Sequence, residues 1–339
     1  MKAVGLYEYL TIDKENSLID QVVPTPMPQG RDLLIEVKAV SVNPVDTKQR
    51  APKDKVEKDL RILGYDASGV VVDVGEDCVL FNVGDEVYYA GDVTRQGSNA
   101  EFQLVDEQLV GRKPSSLSYA KAAAMPLTSI TAWESLYDRM RITEERDAGK
   151  SILIIGGAGG VGSIAIQLAA RSGLEVLATA SRQETIDWCK NMGAHYTINH
   201  RQQLLPQLQE VGYEEVDYIL CLANTNEHWD GMAECIKPQG TICAIVENQE
   251  EIDMKKIRNK SVTFCWEFMF TRAMYKTDDQ IEQHRLLTQM AEKFDQGELK
   301  HTMTKTLSPI NSKNLREAHR ELEGGRMIGK FVIEWSRVD

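Results

Sequence analysis

In the N-terminal third of the chain, apolar positions alternate with polar ones in short β-branched runs: 33–42 (LLIEVKAVSV), 68–74 (SGVVVDV), 85–89 (DEVYY) and 100–105 (AEFQLV). Period-two alternation puts one face of a run against a core and the other in water, so each predicts a strand. Gly75 with Glu76 and Asp77, and Gly84 with Asp85, supply turn chemistry between them. Short strands punctuated this closely predict a sandwich or barrel-like β domain. Residues 23–30 (VPTPMPQG) hold three of the ten prolines and predict an extended connector.

The pattern changes near Tyr119. Residues 119–125 are alanine-rich and helical, and 131–139 (TAWESLYDR) continue as helix after a break at Pro126. Strands and helices then alternate. Strands are predicted at 151–155, 175–179, 195–198, 216–220, 241–246 and 261–270, with helices at 160–172, 184–192 and 227–236. Such alternation predicts βαβ units and a parallel sheet. Past Asp278 an amphipathic helix runs to about Gln296, followed by strand 302–307, helix 313–323 and strand 330–335. This tail breaks the alternation and is expected to fold back onto the first domain.

The chain has 339 residues, enough for about two domains. Hydrophobic residues at 42% and charged residues at 27% exclude a disordered chain. A net charge of -12 argues against a nucleic-acid surface, which needs a basic patch. No stretch approaches the roughly 18 uninterrupted apolar residues of a membrane helix. Residues 1–10 lack a basic region followed by an apolar run, so no signal peptide is expected. The six cysteines (Cys78, Cys189, Cys221, Cys235, Cys243, Cys265) contain no C-x-x-C or zinc spacing. They predict reduced thiols in a cytoplasmic protein.

The most informative window is 151–172 (SILIIGGAGGVGSIAIQLAARS). Gly157-Ala158-Gly159-Gly160-Val161-Gly162 fits G-x-G-x-x-G between an apolar strand and an amphipathic helix. That context places a pyrophosphate on a helix N-terminus. The first glycine is expected to make the tight turn, the second to admit the phosphates, the third to let helix and strand close up. An NAD site has an acidic residue about 20 positions on, at the ribose 2′-hydroxyl. Here the second strand ends in Ser181-Arg182, a hydroxyl and a guanidinium suited to a 2′-phosphate, which favours NADPH. No histidine shows H-E-x-x-H spacing, and no G-x-S-x-G elbow occurs.

Beyond the glycine loop, 39–46 (AVSVNPVD), 64–69 (GYDASG), 83–87 (VGDEV), 100–114, Thr131-Ala132-Trp133 and Gly329-Lys330 carry a wider likeness. Along nearly its whole length the chain resembles the medium-chain dehydrogenase/reductase superfamily, in its zinc-free quinone oxidoreductase (zeta-crystallin-like) branch. The resemblance implies an α/β protein. A GroES-like β-rich domain would span 1–126 and 295–339, and a Rossmann doubly wound parallel sheet 127–294, with an active-site cleft between them. It also implies cofactor contacts at His200, Leu222, Val246 and Lys330. Zinc-bearing members of the superfamily carry cysteine where this chain has Asn43, Gly-His-Glu where it has Gly64-Tyr65-Asp66, and a third ligand near Leu127. Asn43, Tyr65 and Leu127 do not make a zinc donor set. The cysteine-free stretch 91–99 stands where those members have a four-cysteine lobe. No metal is expected.

Without a Lewis acid, a conjugated acceptor is the easier substrate, because its developing enolate or phenolate needs only hydrogen-bond donors. The expected activity is hydride transfer from NADPH to a quinone or other α,β-unsaturated carbonyl compound. The alternatives are an enoyl thioester or alkenal reductase, a zinc-type alcohol dehydrogenase-like protein, or a non-catalytic NADPH-binding protein. Asn43 is a candidate polar group beside nicotinamide or substrate, or else an Asx-turn residue. Tyr65 is expected to face the cleft as hydrogen-bond or proton donor, or as wall. The resemblance puts Thr131 near the nicotinamide carboxamide. Trp266, Phe268 and Phe270 would line a flat pocket or pack in a core or subunit interface. The long apolar last strand predicts a homodimer.

Overall fold

The computed structural model describes residues 1–335. They divide into two compact units, Met1–Ile130 with the chain from Phe270 onward, and Thr131–Met269. The described residues form sixteen strands in order: β1 (Lys2–Glu8), β2 (Ile19–Val22), β3 (Asp32–Ser41), β4 (Val56–Ile62), β5 (Ala67–Val74), β6 (Glu86–Tyr89), β7 (Phe102–Asp106), β8 (Val110–Arg112), β9 (Ser151–Ile155), β10 (Glu175–Thr179), β11 (Tyr196–Ile198), β12 (Val216–Cys221), β13 (Ile236–Ala244), β14 (Thr263–Trp266), β15 (Met303–Leu307) and β16 (Lys330–Glu334).

The first unit is GroES-like, with two sheets. One is the three-stranded β2-β1-β4. The other runs β15-β16-β3-β5-β6-β8, with β7 also on β3. Strand β3 is long enough to be shared. Asp32–Glu36 pair with β7, Ala39–Ser41 pair with β16, and β5 lies along the strand as well. The C-terminal tail thus completes the first unit through β16. Strands β1, β2, β4 and the three-residue β8 escaped the sequence reading. β1 buries four consecutive residues, and β4 (VEKDLRI) is rich in charge, so neither shows clean alternation.

The domain expectation needs one correction. Helix Ile281–Asp295, placed by sequence in the cofactor domain, belongs to the first unit. It lies on β8, where His284 Nδ1 meets the Val110 carbonyl at 2.6 Å. The Tyr88 hydroxyl donates to the Leu287 carbonyl at 2.5 Å. Amphipathicity marks a helix face as buried but does not say against which sheet it is buried.

The second unit is a parallel sheet in the order β11-β10-β9-β12-β13-β14. All five residues of β9 are buried, which explains its continuous apolar run. Burying side chains such as Leu153 and Ile154 contributes roughly 1.5–3 kcal/mol each. Strand order reverses at β9 and β12, and in such sheets ligands bind beyond the carboxyl ends at that point. The run 261–270 proves to be a strand only over Thr263–Trp266. Beyond it Glu267 turns to the Arg139 guanidinium at 2.8 Å. Phe270 is part of the first unit, so the expected row of alternating aromatics is split.

Candidate functional site

In the second unit the glycine loop joins β9 to helix Gly160–Arg171, whose N-cap is Gly159. The tight turn falls one residue earlier than expected. Gly156 has φ of +88°, a conformation that favours glycine, and its N–H donates to the Thr179 hydroxyl at 3.0 Å. Gly157 is instead a close-packing position. A Cβ there would sit 2.8 Å from Ala178 Cβ and 3.1 Å from Cys189 Sγ. A Cβ on Gly162 would sit 2.4 Å from the Gly156 carbonyl oxygen, so helix and loop touch backbone to backbone. Gly159 differs, since its Cβ would meet only the Gly156 oxygen, at 3.5 Å. Space therefore remains beside Gly159, at the helix end where first-turn N–H groups favour an anion.

The other nominated residues of this unit follow the ends of neighbouring strands. Ser181 and Arg182 come after β10, His200 after β11, Leu222 after β12 and Val246 after β13. Leu222 N–H donates to the Ile155 carbonyl at 3.0 Å, tying β12 to β9 at the reversal. The Val246 carbonyl accepts from the Thr225 hydroxyl. Arg182 pairs with exposed Glu184 at 2.6 Å, a surface contact of small value that an incoming phosphate could replace. His200 packs edge-on against His228, ring centroids 6.3 Å apart, and its Nδ1 is buried without a partner. Burial, then the Arg201 charge, lowers its pKa and keeps the imidazole neutral. Thr131 is buried on helix Pro126–Trp133.

The first unit holds a buried ionic cluster. Asn43 caps helix Pro44–Arg50, and its N–H donates to Asp46 Oδ2 at 2.7 Å. Its side-chain amide donates to Asp66 Oδ2 at 2.9 Å. Lys330, at the start of β16, reaches Asp66 Oδ2 at 2.8 Å, the Val42 carbonyl at 3.1 Å and Asn43 Oδ1. Three acceptors take the three ammonium hydrogens. The Leu127 N–H donates to Asp66 Oδ1 at 2.8 Å. Burial raises the pKa of Asp66, opposed by Lys330. Burial also pushes Asp46 up to about 7, against the hydrogen bond from Asn43 N–H. The cluster thus pairs one cation with one carboxylate and leaves Asp46 protonated below neutrality.

Tyr65 is fully buried, its ring edge-on to Phe270 at 5.6 Å and its hydroxyl accepting from Arg61 at 3.3 Å. Burial holds its pKa well above the usual phenol range. Of the two readings of Tyr65, donor or wall, the burial of its side chain favours packing. Sequence reasoning nominated Lys330 as a cofactor contact and quoted Asp66 only as a motif letter, and it missed their pairing. A surface hollow of about 430 Å³ in the same unit, lined by Pro24, Leu60, Arg95 and Phe102 among others, includes none of the nominated residues.

Two family models match, the alcohol dehydrogenase GroES-like domain over residues 29–131 and the zinc-binding dehydrogenase over 160–282. A zinc-type alcohol dehydrogenase-like protein of Staphylococcus epidermidis is 44% identical over 336 residues, 98% of this chain and 99% of that one. The chain belongs to the medium-chain dehydrogenase/reductase superfamily. It is an oxidoreductase of that superfamily. A Rhizobium etli protein, provisionally named a zinc-dependent alcohol dehydrogenase, matches with a TM-score of 0.94 at 47% identity, covering 98% of each chain. A 2-methylene-furan-3-one reductase of Solanum lycopersicum is 37% identical over 230 residues, 64% of this chain and 57% of that one.

The superfamily's zinc does not fit the residues present. Catalytic zinc takes three ligands from cysteine, histidine or carboxylate. Asn43, Tyr65 and Leu127 offer an amide, a neutral phenol and a hydrocarbon. The Lys330 ammonium beside them would repel a dication. Among the described residues no group of three or more His, Cys, Asp or Glu could hold a metal ion.

Proposed function

We propose that this chain reduces a quinone or another α,β-unsaturated carbonyl compound with NADPH, without zinc. The observation that carries the reading is the buried Lys330–Asp66–Asn43 cluster among the residues that stand for the zinc ligands. An alcohol or isolated ketone needs a Lewis acid there, whereas a conjugated acceptor does not. The methylene-furanone reductase among the relatives is named for an enone, which supports the same substrate class.

NADPH, when bound, supplies the hydride. Gly157 to Gly162 and the first turn of helix Gly160–Arg171 would hold its pyrophosphate, with Gly159 giving room. Ser181 and Arg182 would take the 2′-phosphate, Arg182 exchanging Glu184 for it. His200, Leu222 and Val246 would line the same strand ends, and Thr131 the carboxamide. Asn43 and Lys330 act as positioning residues, because their polar side-chain atoms are already paired within the first unit. Tyr65, buried and protonated, packs in the first unit and supplies no acid. Water then supplies the product proton.

The test is oxidation of NADPH and NADH by protein purified without metal-affinity resin. The panel is 1,4-naphthoquinone, 9,10-phenanthrenequinone, 2-alkenals and enoyl thioesters, with alcohols and NADP⁺ in the reverse direction. Turnover of quinones or enones with NADPH, and less than a tenth of a zinc per chain, is the expected result. Alcohol oxidation that tracks one tightly held zinc would overturn the reading. NADPH binding with no turnover of any acceptor would leave a binding protein instead.

A further inference from the structure

Cys243 on β13 and Cys265 on β14 are direct register partners across two parallel strands. In-register neighbours project to the same face of the sheet, with backbones about 4.8 Å apart. A disulfide spans Cα separations of about 4.4–6.8 Å, a range that includes the spacing of neighbouring strands. The Cys265 thiol donates to the carbonyl of Ile242, the residue before Cys243 on β13, at 3.5 Å. Cys221, on the adjacent β12, has Ala244 as its register partner, so it projects away from this pair.

The two sulfurs are unequal. Cys265 is half-buried on the last strand of the sheet, whereas Cys243 is fully buried. The neighbouring Cys243 thiol, and then the Arg139 charge, lower the Cys265 pKa against burial and Glu267. The Cys265 neighbour and burial push the Cys243 pKa up. Cys265 is therefore the more exposed and more acidic thiol of the two, and Cys243 the thiol that follows.

We infer that Cys243 and Cys265 form a reversible dithiol–disulfide pair oxidised by hydroperoxides. The Cys265 thiolate attacks a peroxide oxygen. An S–O bond forms, the O–O bond breaks, and the departing alkoxide or hydroxide takes a proton. The Cys243 sulfur then attacks the Cys265 sulfenic sulfur. An S–S bond forms, the S–O bond breaks, and the oxygen leaves as water with the Cys243 proton. Two thiols lose two electrons and two protons, and the peroxide is reduced to an alcohol and water. A dithiol reverses the change.

The experiment treats the whole protein with stoichiometric hydrogen peroxide, blocks remaining thiols and maps peptides under non-reducing conditions. The expected product links the Cys243 and Cys265 peptides, two hydrogens lighter, and returns to dithiol with dithiothreitol. In Cys243→Ser, dimedone should label Cys265 at least tenfold faster than Cys221. In Cys265→Ser it should not label Cys243. A link through another cysteine, dimedone on Cys243 in Cys265→Ser, or an unlinked pair under peroxide that oxidises free cysteine would each overturn the proposal. The wild-type peptide map decides alone if a variant fails to fold.

Discussion

Arg182 caps helix Gln183–Met192 and holds Glu184 across a surface ion pair. If it reads a 2′-phosphate, Arg182→Ala should cost about 1.5–3 kcal/mol of NADPH affinity, roughly 10- to 100-fold in Kd. NADH affinity should hold. Nicotinamide fluorescence titration checks this, and equal loss of both cofactors would assign Arg182 to the helix cap alone. Asp46 makes a second residue-scale prediction. Its carboxyl titrates near 3.8 in an ordinary setting and is pushed up to about 7 by burial. The folded chain thus binds this proton more tightly than the unfolded chain. The stabilisation is complete below about pH 4 and is lost as pH rises through about 7. Asp46→Asn should gain stability over the wild type at pH 8, by roughly 2–4 kcal/mol, and little near pH 4. Urea unfolding across that range is the measurement, and a gain independent of pH would assign the effect to packing.

At the level of elements, the glycine loop separates a folding glycine from a binding one. Gly162→Ala drives a Cβ to 2.4 Å from a carbonyl oxygen, so the loop must shift and thermal stability should fall. Gly159→Ala meets ordinary contact at 3.5 Å and should fold as the wild type does. Its methyl would occupy the phosphate's approach, so NADPH affinity should fall at least tenfold with Tm unchanged. Loss of Tm in both variants would mean that Gly159 is structural. Strand β16 makes another prediction, because its antiparallel register with β3 is what delivers Lys330 to Asp66. Lys330→Met leaves a buried carboxylate unpaired and should cost about 3–5 kcal/mol in urea unfolding. Adding Asp66→Asn should restore part of that loss. A double variant no more stable than Lys330→Met would show that the ammonium's other acceptors dominate.

For the whole molecule, the exposed flank of β14 is the feature that asks for a partner. The strand is four residues long and shorter than its sequence pattern, yet Trp266 and Phe268 stay 43% and 47% exposed. An apolar strand at a sheet edge is a pairing hazard unless covered, and a two-fold dimer covers it on both copies. We expect light scattering to give twice the chain mass at micromolar concentration. Trp266→Glu should shift the protein to monomer while retaining NADPH binding. Phe264→Pro should give monomer or insoluble protein, since proline removes a ladder donor. A native monomer at those concentrations would leave the exposed aromatics to some other role.

Sequence alone settled the features that are local. The apolar run of β9, the glycine loop and the amphipathic helix after it are adjacent in the chain, so periodicity and spacing define their geometry directly. The alternation of strand and helix likewise fixed a parallel sheet, and the broken alternation after Asp278 sent the tail back to the β-rich unit. Periodicity could not say that helix Ile281–Asp295 serves the first unit, nor where β14 leaves the sheet, because both depend on which surface lies opposite. The ionic cluster lay further out of reach. Lys330 is 264 residues from Asp66 and 287 from Asn43, and only the ladder of β16 on β3 brings them together. The same holds for Cys243 and Cys265, which sequence reading took as reduced thiols without a partner in the pattern. Strand register, set by long-range pairing, made them neighbours.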